Sequence, residues 1–196
     1  MTNTMRPQRR PNLSVALLHQ EMLDKNGAEV VTSLTPLDIH DIARSCRTFG
    51  ATDFYVAHPS PALQQLVATV RTHWDAGFGA TYNPDRKKAL SLLQVVRDLS
   101  EVEHLAREKF GSCKLVATSA RPGGKRISFS ELQNTLCSED AEHHVLMLGT
   151  GWGMSEQLLQ RADLFLEPIE SPTDYNHLSV RSACAIMLDR LSNRVA

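Results

Sequence analysis

Short aliphatic or β-branched runs alternate with segments of helical periodicity, and that alternation limits the possible folds more than any other feature of the chain. LSVALLH (13–19), FYVAH (54–58), KLVATS (114–119), HVLML (144–148) and the apolar part of DLFLEPI read as strands. Between the first two, PLDIHDIARSCRTFG sets Leu37, Ile39, Ile42, Ala43 and Cys46 near helical spacing, and Gly50 supplies a stop. Ser60 and Pro61 open a second helix, predicted through Trp74, as a cap followed by proline at the first helical position. DAGFGATYNPD reads as a loop, and a helix or helix pair is predicted from about 86 to 110. RPGGKR is a basic turn. Further helices are predicted over Ser130–Leu136, Ser155–Ala162 and Leu178–Leu191. Strand and helix in alternation make an α/β domain with a largely parallel sheet flanked by helices. With 196 residues, 42% of them hydrophobic, the chain builds one well-buried core and not two, and it carries no internal repeat or linker. The expected organisation is a disordered basic arm over 1–11 and a single domain over 12–196.

A formal charge of −1 gives no global field to attract nucleic acid, so any RNA binding must use local clusters. Such clusters are Arg121, Lys125 and Arg126, then Arg86, Lys87 and Lys88, and the arm itself. Solvated surface explains them equally, and no stretch alternates basic with aromatic residues as a single-strand stacking platform would. Cys46, Cys113, Cys137 and Cys184 stand far apart with no CxxC pair, which is the pattern of reduced thiols in the cytoplasm. The apolar run after MRPQRRPN is too short for a signal peptide, and none approaches the roughly 20 residues of a membrane span. His19, His73, His143 and His144 have no metal-ligand spacing, so no metal is expected.

The most chemically suggestive stretch is LMLGTGWGMSEQLL (146–159). Strand HVLML runs into Gly149-Thr150-Gly151-Trp152-Gly153, and Ser155 stands ready to cap the helix that follows. Glycines at such a turn let backbone amides approach a ligand closely, although a tight turn with no ligand would look the same. A dinucleotide-dependent oxidoreductase would want G-x-G-x-x-G after its first strand. Here the spacing is G-x-G-x-G, and one strand and one helix remain to be built after it.

Three segments together resemble the SPOUT superfamily of S-adenosylmethionine-dependent RNA methyltransferases. TPLDIHDIARSCRTFG (35–50) is similar to the first motif, N-P-x-N-x-G-x-x-x-R-T-x-x-x-F-G, with Pro36, Arg44, Phe49 and Gly50 in register. Thr35 and Asp38 replace asparagines there, and His40 replaces a glycine. VLMLGTGWGMS (145–155) resembles the second motif without its glutamate. PIESPTDYNHLSVRSACAIML (168–188) resembles the third, with Leu178, Val180, Ala183, Ala185 and Ile186 in register and Ser179 at an asparagine position. KNG, DIHDIAR, YNPDRK and PTDYNHLSVRSA look closer still to a small bacterial subfamily of that superfamily.

The resemblance implies a C-terminal deep trefoil knot whose facing loops hold S-adenosylmethionine. Leu148, Gly149, Thr150, Gly151, Trp152 and Gly153 would form one loop. Ile169, Tyr175, Leu178, Ser179 and Ser182 would form the other, with Thr118, Ser119 and Ala120 as a third wall. Arg44 matches the motif arginine and would hold a phosphate or stabilise developing charge. Asp38, Asp174 and His40 are candidate general bases, each with a plain structural alternative in a cap, turn or local hydrogen bond. The resemblance also implies a homodimer, with the final helix supplying contact or ordinary core, and an RNA substrate of the tRNA or rRNA class. The competing reading is a non-catalytic protein that binds S-adenosylmethionine or RNA and regulates other factors.

Overall fold

A computed structural model describes residues 11–121, 124–138 and 140–192. Residues 1–10 of the expected arm lie outside these. Pro11 is buried against the domain, and the Asn12 N–H donates to the Leu136 carbonyl at 3.2 Å.

The strands are β1 (Leu13–Leu18), β4 (Phe54–Ala57), β5 (Leu93–Val96), β6 (Cys113–Ala117), β7 (His143–Gly149) and β8 (Leu164–Phe165). They form one sheet of order β5-β4-β1-β7-β6-β8 in which every pairing is parallel. A two-stranded antiparallel hairpin, β2 (Met22–Leu23) and β3 (Glu29–Val30), stands apart from it. Helices α1 (Pro36–Phe49), α2 (Pro61–Asp75), α3 (Phe78–Tyr82), α4 (Pro84–Leu90), α5 (Leu99–Phe110), α6 (Phe129–Leu136), α7 (Glu156–Leu159) and α8 (Val180–Leu191) complete the chain.

Parallel strands need cover on both faces, and β1 shows how its residues divide. Leu13, Val15 and Leu17 pack with residues of α1, α2, α4, α6 and α8, while Ala16 and Leu18 pack with those of α5 and the α7 region. Gly50 closes α1 with φ +81°, and its N–H donates to the Cys46 carbonyl, as expected of a left-handed helix stop. Ser60 occupies the cap position of α2, but its side chain makes no capping hydrogen bond. The helix expected over 155–162 is a single turn. The final helix begins after Ser179, whose hydroxyl accepts from the Ser182 N–H. Leu188 and Leu191 of α8 are core residues.

Two expectations are corrected. Residues 86–110 are not a helix or helix pair alone: β5 stands between α4 and α5, paired with β4. Residues 78–82, expected as loop, form α3.

The N-terminal ends of β1 and β7 hold a buried polar cluster. Ser14 Oγ lies 2.8 Å from both Thr52 Oγ1 and His143 Nε2, and the His143 ring stacks on Phe110 with centroids 3.6 Å apart. Nearby, Lys109 Nζ donates to both oxygens of the buried Asp53 carboxylate at 2.8 and 2.9 Å. Removing the ammonium would leave that buried carboxylate without a cation and with the Gln94 amide, 2.8 Å away, as its side-chain donor. Lys109→Met is therefore expected to lower unfolding free energy by about 1–3 kcal/mol, measured by urea denaturation at pH 7.

Candidate functional site

The chain reverses direction across the sheet between β1 and β7, and crevices of open parallel sheets form at the carboxyl ends of strands at such a point. Here the cavity measures about 920 Å³. Its walls are Thr118–Arg121 after β6, Leu148–Met154 after β7, the segment from Asn176 into α8, and Thr32, Ser33 and Asp38 before and within α1.

The hairpin, which the sequence did not disclose, shapes this site by holding the glycine turn. The Trp152 N–H donates to the Leu23 carbonyl at 3.1 Å, and the Leu23 N–H donates to the Gly153 carbonyl at 2.8 Å. Thr150 turns its hydroxyl inward, donating to the Leu18 carbonyl at 3.1 Å and meeting the Thr32 hydroxyl. Gly151 sits at φ +61°, and a Cβ there would lie 3.0 Å from Thr32 Cγ2 and 3.1 Å from the Leu23 carbonyl oxygen. Glycine is thus required by conformation and by space together. A Cβ at Gly149 would come within 2.8 Å of Met154 Cγ. Arg121 donates to the Trp152 carbonyl at 2.9 Å and ties the β6 loop to the turn, and Thr118 donates to the Met147 carbonyl at 2.8 Å.

Of the candidates read from the sequence, Thr118, Ser119, Ala120, Leu148, Gly149, Thr150, Gly151, Trp152, Gly153, Ile169, Leu178 and Ser179 line this cavity, as do Asp38 and Asp174. Tyr175 is outside it, 69% exposed, with its ring edge-on to His177. Arg44 and Ser182 line a second, more open depression of about 370 Å³ with Asp41, Ser45, Thr48 and Phe49. His40 packs edge-on against Trp74 at 5.8 Å, and burial, then Arg86, pull its pKa down despite Asp41.

Arg181 was not among the sequence candidates, and it borders both cavities. It donates to Asp38 Oδ1 at 3.0 Å, and its Nε lies 3.5 Å from Asp41 Oδ2. Thr35 donates to the other Asp38 oxygen at 2.7 Å. The signal for it was its place inside the third motif-like segment, between the in-register Val180 and Ala183. Arg181→Met should cost about 1–3 kcal/mol in urea denaturation, because Asp38 is 8% exposed and would be left without its cation. The Asp38→Asn, Arg181→Met double variant should lose less than the sum of the two single changes.

Among the described residues there is no group of three or more His, Cys, Asp or Glu placed to hold a metal ion, and no helix long and apolar enough to cross a membrane.

Comparison with known proteins gives the chain a family. Residues 12–193 match the model of a SAM-dependent RNA methyltransferase family. A protein of Aquifex aeolicus is 36% identical over 93% of this chain and 89% of its own length. The tRNA (guanine-N(1)-)-methyltransferase of Oleidesulfovibrio alaskensis is 38% identical over 97% of this chain, which spans only 44% of that protein. The SpoU methyltransferase AviRb from Streptomyces viridochromogenes, solved in complex with AdoMet, shares the fold at TM-score 0.56 and 16% identity, covering 94% of this chain and 61% of that one. A single α/β domain with a cavity at the carboxyl ends of its parallel strands is the class this architecture defines. The chain belongs to the SAM-dependent RNA methyltransferases.

The residues present fit the cofactor of that family. The cavity lies within the roughly 300–1,000 Å³ of small-molecule sites. Gly149 and Gly151 let the turn pack closely on Met154, Thr32 and the hairpin, which sets the shape of the wall, and Leu178 and Trp152 offer apolar surface beside the carboxylates of Asp38 and Asp174.

Proposed function

We propose that the 920 Å³ cavity holds S-adenosylmethionine and that the protein methylates a nucleotide of tRNA. The observation that carries this reading is the convergence of the loops after β6 and β7 with the segment leading into α8 on one cavity. The tRNA class is supported by the name of the Oleidesulfovibrio relative, of which this chain spans less than half. In this reading the chain after β8 threads as the superfamily's trefoil knot. Its return from the sheet edge to α8, packed on α1 and α6, supports that path. The protein would act in the cytoplasm, where tRNA is found.

Bound S-adenosylmethionine supplies an electrophilic methyl group on a sulfonium. Backbone groups around Leu148, Gly149, Gly151, Ile169 and Leu178 hold the adenosine moiety, and the turn excludes water. Asp174 is our choice for the base that takes the acceptor's proton: it lines the cavity, and no side-chain hydrogen bond or ion pair engages it among the described residues. Asp38 is already committed to Arg181 and Thr35, and His40 faces Trp74. Arg44, exposed in the second depression, positions an RNA phosphate. A second subunit is proposed to pack on α1 beside that depression, where Leu37 is 62% exposed, leaving Arg44 open to the RNA.

The test is transfer of tritiated methyl from S-adenosylmethionine to unmodified tRNA transcripts, with rRNA fragments alongside. Label in tRNA is expected, and label in rRNA alone would contradict the substrate class. Asp174→Asn should lower kcat by about 10²–10⁴-fold with cofactor binding kept. Arg44→Ala should lose turnover yet still bind cofactor. A binding module would show no turnover in the parent protein.

A further inference from the structure

A pair of exposed, stacked aromatic rings lies away from both cavities, on α3. Phe78 and Tyr82 are 75% and 74% exposed, and their rings stack with centroids 5.8 Å apart and planes inclined by 24°. Spacing of four residues puts both rings on one side of the helix. With three quarters of each residue open, the pair offers ring surface to a further planar group.

This display is built into the packing. A Cβ at Gly79 would lie 2.7 Å from Trp74 Cε3, and one at Gly77 would lie 2.7 Å from the His73 carbonyl oxygen. The two glycines therefore let α3 sit directly on the end of α2. Trp74, the floor of this arrangement, is held from one side by the Arg86 guanidinium, 4.7 Å from its ring centroid, and from another by the edge of His40.

Charge around the pair has one prevailing sign. Residues 71–88 carry Arg71, Arg86, Lys87 and Lys88 against Asp75 and Asp85. Arg71, Lys87 and Lys88 are exposed. Lys87 Nζ donates to the Asp75 carbonyl at 2.6 Å and lies 3.8 Å from its carboxylate, and Lys88 donates to Asp85 at 3.1 Å; these pairs are exposed and exchange readily for phosphate. The patch also connects with the site. Helix α4 packs on α1, the helix that carries Arg44 into the second depression, and Arg86 of α4 lies over Trp74 beside His40 of α1.

Exposed aromatic rings among cations are what bind unpaired bases and their phosphates, because every base has a π-face and every linkage a negative charge. An apolar protein partner would find its rim cationic, and a second copy of this chain would bring the same positive charge against itself. We propose that Phe78 and Tyr82 form a stacking platform for a single-stranded RNA segment flanking the nucleotide to be methylated, with Arg71, Arg86, Lys87 and Lys88 drawing in its phosphates. The proposal rests on the RNA methyltransferase reading and adds to it where the substrate's flanking strand lies.

The test uses the full chain and two fluorescent probes, a 12-nucleotide single strand of mixed A and U and an unmodified tRNA transcript, followed by anisotropy. The Phe78→Ala, Tyr82→Ala double variant should bind the single strand about tenfold more weakly or worse. Phe78→Trp with Tyr82→Trp should keep the affinity of the parent protein, since stacking survives. Both variants should bind S-adenosylmethionine normally by calorimetry, because neither residue lines the cavity. Neutralising Lys87 and Lys88 to glutamine should flatten the dependence of log affinity on log salt by about 0.7 for each phosphate no longer neutralised. The platform is overturned if the double alanine variant binds both probes like the parent protein, or if the tryptophan variant fails to keep affinity. A double alanine variant that instead drops to a smaller species in sedimentation would assign the patch to contact between copies, which also overturns it. Parent protein that binds neither probe overturns the platform and the RNA reading together. Parent protein that binds RNA, with the double alanine variant indistinguishable from it, overturns the platform alone.

Discussion

Replacing Gly151 by valine is expected to abolish cofactor binding, with affinity for S-adenosylmethionine reduced at least about a hundredfold. Two effects act together. At φ +61° a β-branched residue is strained by about 1–3 kcal/mol. Its Cβ would also press on Thr32 Cγ2 at 3.0 Å and on the Leu23 carbonyl at 3.1 Å, the same carbonyl that accepts from the Trp152 N–H. Thr32 and the hairpin must then move, and they carry part of the cavity wall with them. Gly111→Val is the control. It imposes comparable strain at φ +82° with nothing within 4 Å of the new Cβ, and Gly111 lies outside the cavity. It should lower the denaturation midpoint and leave calorimetric binding of S-adenosylmethionine intact. Equal loss of binding in both variants would mean that general stability, not the shape of the turn, governs the site.

The second large effect is on stability in acid. His19 and His143 are 0% and 2% exposed, and burial pulls each pKa from 6.5 to about 4. For His19, the hydrogen bond to the Ala57 carbonyl and the charge of Asp38 oppose this, while His58 assists it. For His143, Asp53 opposes it, while His144 and Lys109 assist it. His19 Nε2 and His143 Nδ1 have no hydrogen-bond partner among the described residues, so a proton added there would be buried without an acceptor. The folded pKa lies below the unfolded one. Between pH 6.5 and 4 the unfolded chain therefore binds more protons than the folded one. Stability is full above pH 6.5 and falls as pH drops toward 4, by an order of 3 kcal/mol for each histidine. Urea denaturation across that range checks the sum, and His143→Gln should shallow the slope. A midpoint unchanged from pH 7 to about 4 would contradict the assignment.

The sheet's central strands were legible because β1, β4, β6 and β7 are apolar runs bounded by turn residues. The glycine turn after β7 was legible for the same reason. β5 was not. Its LQVV lies in a stretch where Leu90, Leu93, Val96, Leu99 and Val102 recur every third residue, and a strand buried on both faces has no alternation to set it apart from a helix. The hairpin strands are two residues each, too short for any periodicity, yet they clamp the cavity wall. In α3 the glycines that suggested a loop are there because Trp74 and His73 leave no room for a Cβ, and with the helix missed, the pairing of Phe78 with Tyr82 was missed too. The contact of Arg181 with Asp38 spans α1 and α8, distant in sequence, and no local pattern announces it.

Everything proposed for this protein depends on S-adenosylmethionine binding in the cavity at the carboxyl ends of β6 and β7. Calorimetric titration of the purified chain, with NAD as the control ligand, tests it most directly. Roughly micromolar binding of S-adenosylmethionine is expected, lost in Gly151→Val, retained in Arg44→Ala, with no heat from NAD. Folded protein that binds no S-adenosylmethionine, or that binds it unchanged with Gly151 replaced by valine, would contradict it.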